Sequence, residues 1–285
     1  MSVHLIPRYK HVLYLAFVII YPVFIITGMY DVEDKKTEND IKVVVYYQRA
    51  IGNSIAFRVA LHLFRSAYPS SPLYIHWDED HALPVSGANL ITYNKNIIEK
   101  TTNVGSGRMF FASVASMEAY IQRLKTAAGF QRNGWVLLLE DDVWVLSRIK
   151  KQHLRYDISG TCRGQLQTKC KECPTVIQAH SPNHQTFRNA ECYGGCGGNY
   201  INSSRILGLK GYENLLEALL RAWGGPVPQD VLLSSVILAD GGTIGDNPGY
   251  YEPGDLPPGF SNTKYGPPNI FHQMKWLYFM KYIID

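Results

Sequence analysis

Blocks of hydrophobic and polar positions alternate along the chain and predict strands and helices in turn. The β-branched and aromatic run at residues 41–47 predicts a strand, and apolar side chains at helical spacing over residues 55–68 predict a helix. A second apolar run at residues 73–77 follows a turn with two prolines and predicts another strand. Two strands joined by a helix form a βαβ unit, in which the strands run parallel.

The same alternation continues through the middle of the chain. Residues 108–128 carry apolar side chains at helical spacing and end at Gly129, which predicts a long amphipathic helix. Residues 135–139 form a continuous apolar run, which predicts a central strand buried on both faces. The pattern therefore predicts an α/β fold with a mostly parallel, doubly wound (Rossmann-like) sheet, whose ligands bind beyond the carboxyl ends of the strands.

An apolar segment precedes these elements. Residues 11–30 contain no Asp, Glu, Lys or Arg and are long enough to cross a bilayer as a helix. Arg8 and Lys10 stand before the segment, whereas Asp31 and Glu33 follow it. Because the basic flank of a membrane segment stays in the cytoplasm, the pattern predicts a type II signal-anchor. A cleaved secretory signal and a buried helix are the alternatives.

This topology divides the chain into four parts. We expect a cytoplasmic tail at residues 1–10, the transmembrane anchor at 11–30, a short polar and acidic stem at 31–40, and an exported domain at 41–285. The composition fits a folded domain, because 46% of the residues are hydrophobic and 18% are charged. The net charge of +4 comes without a dense run of Lys and Arg, so nucleic acid is not an expected partner.

Three acidic residues end the central predicted strand. Glu140, Asp141 and Asp142 follow the apolar run directly and precede a second apolar stretch at residues 143–146. Adjacent carboxylates in a partly buried crevice repel one another unless a cation binds them. Their hard oxygen atoms suit Mg²⁺ or Mn²⁺, which usually completes its coordination with water and substrate phosphates. The triplet thus predicts a metal-bound diphosphate, and a solvated acidic turn is the alternative.

A glycine-rich segment lies between Cys192 and Asn199. It has glycines at positions 194, 195, 197 and 198, which permit positive φ angles and let backbone amides approach a ligand closely. This composition favours a loop that lines a ligand. The alternative is a hairpin stiffened by a bridge between Cys192 and Cys196.

Two single residues in the second half of the chain are candidates for chemistry. Asp230 opens an apolar helical run at residues 231–238, where it caps the helix or acts as the general base for an attacking hydroxyl. His272 stands just before the aromatic segment 276–282. Its imidazole is either a metal ligand or a structural hydrogen-bonding group.

Polar side chains near strand ends are candidates for nucleotide binding. Asp78 ends the second predicted strand and could accept hydrogen bonds from a ribose or a base. Tyr47 and Arg49 at the end of the first strand, and Arg108 further along, could contact the base and the phosphates. Asp141 is assigned to the same nucleotide-sugar site.

The five cysteines cluster in the second half of the chain, at positions 162, 170, 173, 192 and 196. Cys170, Cys173, Cys192 and Cys196 have a spacing that would suit a zinc ribbon. The predicted export favours instead one or two disulfides that staple the polar insertion 159–184, which is expected to be an acceptor-side loop region. The pairing stays open.

Taken in order, these motifs resemble those of GT-A fold nucleotide-sugar glycosyltransferases. The segment LLLEDDVWV at residues 137–145 resembles their DxD motif, with Glu140 in the place of the first Asp. Residues 194–199 resemble their glycine-rich loop, which lines the acceptor and the donor sugar. The resemblance extends over residues 41–276.

Two further positions carry the resemblance. Gln229 and Asp230 resemble the xED motif, with Gln in the place of Glu, and His272 resembles the C-terminal histidine ligand of the metal. The family resemblance implies that Glu140, Asp142 and His272 hold Mn²⁺ or Mg²⁺ and that Asp230 is the base of an inverting reaction. Retaining enzymes of the same fold share the metal motif, so the stereochemistry stays open.

The resemblance implies a type II membrane glycosyltransferase of the Golgi or another secretory-pathway membrane. It would move a sugar from a nucleotide-diphosphate donor to a hydroxyl of a glycan, glycoprotein or glycolipid. Gly195, Gly197, Gly198 and Asn199 would line the sugars. The alternatives are a membrane-anchored zinc-ribbon interaction module and a catalytically silent nucleotide-sugar binder.

Overall fold

The computed structural model describes residues 41–48, 54–78, 96–101, 110–140, 143–161, 166–181, 193–194, 197–251 and 269–271. The predicted cytoplasmic tail, anchor and stem lie outside these ranges. Within the ranges, no helix has the length and apolar character needed to cross a membrane. Ile41–Asp285 forms one compact unit.

The secondary structure alternates between strands and helices. The described strands are β1 Val43–Gln48, β2 Leu73–Asp78, β3 Asn96–Thr101, β4 Phe110–Phe111, β5 Trp135–Leu139, β6 Trp144–Val145, β7 Ile158–Gly160, β8 Tyr200–Asn202, β9 Val227–Pro228, β10 Ile244–Asp246, β11 Tyr250–Tyr251 and β12 Ile270–Phe271. The described helices are α1 Ser54–Ala67, α2 Val114–Gly129, α3 Leu166–Lys169, α4 Cys173–His180, α5 Ser203–Gly208, α6 Glu213–Trp223 and α7 Gln229–Ala239, with a 3₁₀ helix at Lys151–His153.

Seven of these strands form the central sheet, in the order β10-β7-β8-β5-β1-β2-β3. Strand β8 is antiparallel to its neighbours β5 and β7, and the other described pairs of this sheet are parallel. The predicted α/β class with a mostly parallel sheet is confirmed. Two small sheets accompany it, β11-β12-β6 and β4-β9.

The three strands predicted from apolar runs are β1, β2 and β5, which lie side by side in the sheet. In β5, Val136 and Leu138 pack in the core on the side of α2, whereas Leu137 and Leu139 pack in the core on the side of α1. Burial on both faces explains why this strand is continuously apolar. Each such side chain contributes about 1.5–3 kcal/mol of transfer free energy.

The helix predicted at residues 108–128 begins later than expected. Helix α2 starts at Val114, and the short strand β4 precedes it. Ser113 is the N-cap: its hydroxyl accepts a hydrogen bond from the Ser116 amide, and the Ser116 hydroxyl accepts one from the Ser113 amide, both at 3.2 Å. This capping box ends the extended segment and sets the helix boundary.

The polar insertion at residues 159–184 is more regular than predicted, because it contains α3 and α4. A disulfide joins Cys170 and Cys173 immediately before and at the start of α4. The prediction of a disulfide in this insertion is therefore confirmed. The same bond occupies two of the four thiols that a zinc ribbon would need.

Candidate active site

The carboxyl ends of β1, β2, β5 and β7 lie at one edge of the central sheet, which we call the carboxyl edge. Antiparallel β8 begins at the same edge. Strand order reverses beside β1, because β2 lies on one side of it and β5 on the other. Ligands of open α/β sheets bind at such a switch point. Glu140 directly follows β5 there, one residue after Leu139 pairs with Tyr47 of β1.

Glu140 lies against the glycine-rich segment. The residue is 8% exposed. A Cβ atom built on Gly197 would lie 3.1 Å from both Cδ and Oε2 of Glu140 and 2.6 Å from Cγ2 of Val143. A side chain at position 197 would therefore collide with the segment that follows β5. The missing side chain lets backbone and carboxylate approach each other closely.

The glycine-rich segment also contacts the small sheet β11-β12-β6. The Tyr250 hydroxyl of β11 donates a hydrogen bond to the Gly197 carbonyl at 2.9 Å. Gly198 has a φ angle of +84°, and a Cβ atom there would lie 2.6 Å from Cγ2 of Ile270 in β12. Position 198 thus requires glycine for its backbone conformation and for its packing.

The other end of the segment is bound to helix α7. The Gly194 amide donates a hydrogen bond to the Ser234 hydroxyl at 2.8 Å, and this hydroxyl donates to the Gly194 carbonyl at 2.8 Å. Ser234 is fully buried. The glycine-rich segment therefore has described contacts with Glu140 at one end and with α7 at the other.

Asp230 lies in the first turn of α7 and is half-buried. It precedes Ser234 by four residues, so the two side chains share one face of the helix. Its Oδ1 accepts a hydrogen bond from the Val231 amide at 3.0 Å. Strand β9, which leads into α7, pairs with β4, and this pairing brings the exposed ring of Phe110 opposite Pro228.

Several predicted site residues lie outside the described part of the chain: Arg49, Arg108, Asp141, Asp142, Gly195 and His272. The strands beside two of them are described. Phe271 pairs with Trp144 in the antiparallel ladder of β12 and β6. The residue before His272 is therefore paired with the second residue after Asp142.

Two candidate ligand contacts have buried side chains. Tyr47 is 1% exposed and packs in the core between β1, β5 and α1. Asn199 is fully buried, and its Oδ1 accepts a hydrogen bond from the Thr161 amide at 3.2 Å. Asp78 is the last residue of β2 at the carboxyl edge. Contacts of these three residues with a ligand stay predictions.

The sequence interpretation missed Ser234. The sequence does contain a signal for this residue: Ser234 and Ser235 are adjacent polar residues in a helix that is otherwise almost entirely apolar and buried. The two serines differ in the structure, because the Ser235 hydroxyl is buried and has no hydrogen-bond partner among the described residues. Ser234 is the one that binds the glycine-rich segment.

A buried pair of tyrosines lies in the core on the side of α1. Tyr200, the residue after Asn199, has its hydroxyl 3.1 Å from that of Tyr68, which accepts a hydrogen bond from the Ile149 amide at 2.8 Å. Burial raises the pKa of the Tyr200 phenol well above its usual 10.0 and also raises the pKa of Tyr68. Both phenols are therefore neutral at physiological pH.

The side chains at the site fit a divalent cation in part. Within the described ranges, no three His, Cys, Asp or Glu residues are grouped so that they could hold a metal ion. Glu140 does present a largely buried carboxylate at the switch point, close against Gly197. Carboxylate oxygen is the ligand type that Mg²⁺ and Mn²⁺ prefer.

Neither a protein-family model nor a curated protein matches the chain. Among solved structures, the chain is similar to the galactosyltransferase LgtC in complex with donor and acceptor sugar analogs, with 13% sequence identity over 82% of this chain and 87% of that chain and a TM-score of 0.42. It is similar to a structure of an active-site mutant of LgtC at the same identity and coverage, with a TM-score of 0.43.

Proposed function

We propose that the chain is a GT-A type glycosyltransferase that moves a sugar from a nucleotide-diphosphate donor to a hydroxyl of a glycan, glycoprotein or glycolipid. One observation carries the proposal: the glycine-rich segment contacts Glu140 after β5 and is hydrogen-bonded to Ser234 on the helix that bears Asp230. The candidate metal ligand and the candidate base are thereby joined through one loop at the switch point of the sheet.

Glu140, Asp142 and His272 are the residues that would hold Mn²⁺ or Mg²⁺. The pairing of Phe271 with Trp144 supports this set, because it links the chain just before His272 to the chain just after Asp142. A bound cation would neutralise the negative charge that develops on the departing diphosphate. A side chain at position 197 would crowd the Glu140 carboxylate, so glycine at this position is compatible with its proposed role.

Asp230 would take the proton from the acceptor hydroxyl as that oxygen attacks the anomeric carbon. The Val231 amide in the first turn of α7 donates a hydrogen bond to one oxygen of this carboxylate and holds its orientation. Attack from the side opposite to the diphosphate inverts the configuration of the sugar. Gly195, Gly197, Gly198 and Asn199 would line the two sugars.

The nucleotide would lie along the ends of β1 and β2, with Tyr47, Arg49, Asp78, Arg108 and Asp141 as its candidate contacts. We also propose that residues 11–30 anchor the chain as a type II membrane protein. The domain 41–285 would then face the lumen of the Golgi or of another secretory-pathway compartment.

A panel of nucleotide-sugar donors tests the proposal. The full chain is incubated with each donor and Mn²⁺, and release of the nucleoside diphosphate is measured for the wild type, Asp142→Ala and Asp230→Asn. We expect at least one donor to be turned over by the wild type and both variants to be severely impaired. Turnover at the wild-type rate in both variants would refute the scheme, and donor binding without turnover would indicate a silent nucleotide-sugar binder.

A further inference from the structure

The chain contains a single Asn-x-Ser/Thr tripeptide without Pro in the middle, which is Asn202-Ser203-Ser204. This tripeptide is the acceptor sequence for N-glycosylation in proteins that enter a secretory compartment. It joins the end of β8 to the start of α5. The candidate active site makes no use of it.

Asn202 lies at the edge of the central sheet opposite to the carboxyl edge, which we call the amino edge. Strand β8 runs antiparallel to β5, and Asn202 pairs with Trp135, the first residue of β5. Three residues of extended chain separate Asn202 from Asn199 of the glycine-rich segment, a distance of about 10 Å. A group on Asn202 is therefore attached at the end of the sheet that lies away from the candidate site.

The side chain of Asn202 uses one of its two polar atoms in the fold. Its Oδ1 accepts hydrogen bonds from the amides of Ser204 and Arg205 at 2.9 and 3.4 Å, so Asn202 is the N-cap of α5. Asn202 is half-buried, and within the described ranges its Nδ2 has no hydrogen-bond partner and is not enclosed. N-glycosylation attaches a sugar to this nitrogen. The modification would thus take the free atom and leave the cap in place.

The third residue of the tripeptide also lies at the surface. Ser204 is exposed, and its hydroxyl donates a hydrogen bond to the carbonyl of exposed Arg132 at 3.0 Å. Ser203, the middle residue, is fully buried. The two side chains that define the acceptor sequence therefore reach solvent, while the residue between them fixes the turn to the core.

We propose that Asn202 is an N-glycosylation site of the exported domain. The co-substrate is an oligosaccharide carried on a lipid diphosphate. The Asn202 Nδ2 forms a bond to the anomeric carbon of the first sugar as the bond from that carbon to the diphosphate oxygen breaks. Nδ2 loses one proton, and the lipid diphosphate leaves.

The inference rests on the proposed export of residues 41–285 and is independent of the transferase activity. The disulfide between Cys170 and Cys173 supports export, because disulfides persist in oxidising compartments such as the lumen of the endoplasmic reticulum. N-glycosylation takes place in that same lumen. With the glycan at the amino edge, the carboxyl edge stays open to a donor and an acceptor.

Translation of the full chain with microsomes from the endoplasmic reticulum tests the inference. A second form of the chain carries a reporter, an Asn-Gly-Thr tripeptide on a flexible Gly/Ser extension after Asp285, which shows whether the domain enters the lumen. We expect the natural chain to gain one glycan and the reporter form to gain two. Each glycan is read as a step in electrophoretic mobility that peptide N-glycanase removes.

Point variants assign the glycan to Asn202. Asp is as good an N-cap as Asn, so Asn202→Asp should lose the glycan and keep the fold. Ser204→Ala should also lose the glycan, whereas Ser204→Thr should keep it. Ser203→Ala is the matched control. It removes a neighbouring hydroxyl that has no partner in the described part of the chain, and the glycan should remain.

The stability of the modified chain tests whether the folded structure accommodates the sugar. Peptide N-glycanase converts the modified Asn to Asp, so the treated protein has the sequence of the Asn202→Asp variant. Because the cap survives in both forms, Tm before and after treatment should agree within about 3 °C.

Three results would overturn the inference. Modification of the reporter without modification of Asn202 would show that the exported chain does not use this site. Absence of both glycans would show that the domain is not exported. Recovery of the glycosylated chain as an aggregate, while the unmodified chain folds, would show that the fold encloses Nδ2. These experiments do not measure turnover, so failure of the glycosylation site and failure of the proposed transferase are distinguishable.

Discussion

The Ser234 hydroxyl lies 2.8 Å from both the amide nitrogen and the carbonyl oxygen of Gly194. This double hydrogen bond fixes the start of the glycine-rich segment to α7, one helical turn beyond Asp230. At the other end of the segment, Gly197 lies against Glu140. The candidate base and the candidate metal ligand therefore depend on the conformation of one short loop.

Removing the hydroxyl of Ser234 should loosen this loop. We expect Ser234→Ala to destabilise the fold by about 1–3 kcal/mol, because the buried amide and carbonyl of Gly194 lose their partner. Turnover should fall by roughly 10–100-fold through misplacement of reacting groups. Urea unfolding and steady-state kinetics measure the two effects.

The neighbouring serine provides the control. Ser235 is equally buried, but within the described ranges its hydroxyl has no hydrogen-bond partner, so Ser235→Ala should be neutral or stabilising by up to about 1 kcal/mol. Equal destabilisation by the two alanine variants would show that the hydrogen bonds with Gly194 do not contribute specifically to the free energy of unfolding.

A methyl group on Gly197 should damage the site directly. In Gly197→Ala the new Cβ would lie 2.6 Å from Val143 and 3.1 Å from the Glu140 carboxylate. We expect a loss of about 1–3 kcal/mol in stability and a larger loss in metal-dependent donor binding, which calorimetry would measure. Gly208→Ala lies at the end of α5, where an added Cβ would have no other described residue's atom within 4 Å, and should instead be neutral or stabilise by up to about 1 kcal/mol.

Asp230→Asn should separate catalysis from stability. The Asn side-chain oxygen can still accept the hydrogen bond from the Val231 amide, so the melting temperature should change little. Loss of the base should lower kcat by roughly 10²–10⁴-fold with a small effect on the donor KM. Glu217→Gln, an exposed change in α6, should keep kcat within about twofold. An unchanged kcat in Asp230→Asn would assign the residue to helix capping alone.

The buried tyrosines predict a loss of stability in alkali. The pKa of Tyr200 is raised in the folded state, so the folded state holds this proton more tightly than the unfolded state does. Its contribution is fully present below pH 10 and is lost as the pH rises from there towards the folded pKa. Urea unfolding between pH 8 and pH 11 should show this decline, and Tyr200→Phe should make it shallower, with the part due to Tyr68 remaining.

Tyr200→Phe should also change stability at pH 8, and Tyr156→Phe is the control for the alkaline titration. Tyr200→Phe loses the contact with the Tyr68 hydroxyl, which should cost about 1 kcal/mol at pH 8. Tyr156→Phe changes an exposed ring and should leave the alkaline decline as in the wild type. A decline of equal steepness in Tyr200→Phe would mean that another group causes it.

The central strands were predictable because burial on two faces leaves a strong apolar signal, as in β5. The start of α2 was not predictable from the sequence. The Ser113–Ser116 capping box is a weaker sequence signal than the apolar periodicity, which continues into the residues before Ser113. Helix α4 was missed for a related reason. It is eight residues long and buries just Cys173 and Ile177, so its apolar face is too small to give a clear period.

The candidate site was predictable as a set of motifs but not as a set of contacts. The acidic end of β5 and the glycine-rich segment were identified from composition, and the structure brings Glu140 and Gly197 together. The role of Ser234 depends on a tertiary contact between residues 40 positions apart, which local patterns do not encode. Asn199 was selected as a ligand contact; its buried side-chain oxygen accepts a hydrogen bond from the Thr161 amide, and its contact with a ligand stays a prediction.

The central claim is that Glu140, the glycine-rich segment and α7 form one metal-dependent nucleotide-sugar site. Thermal unfolding of the full chain with a series of nucleoside diphosphates, in Mn²⁺ or in EDTA, tests it most directly. The account predicts that at least one diphosphate, at about 100 times its Kd, adds about 2.7 kcal/mol of stability and raises Tm by roughly 5–10 °C in Mn²⁺ but not in EDTA. Glu140→Gln and Gly197→Ala should abolish this shift. No shift with any diphosphate, or an equal shift in EDTA and in Glu140→Gln, would contradict the account.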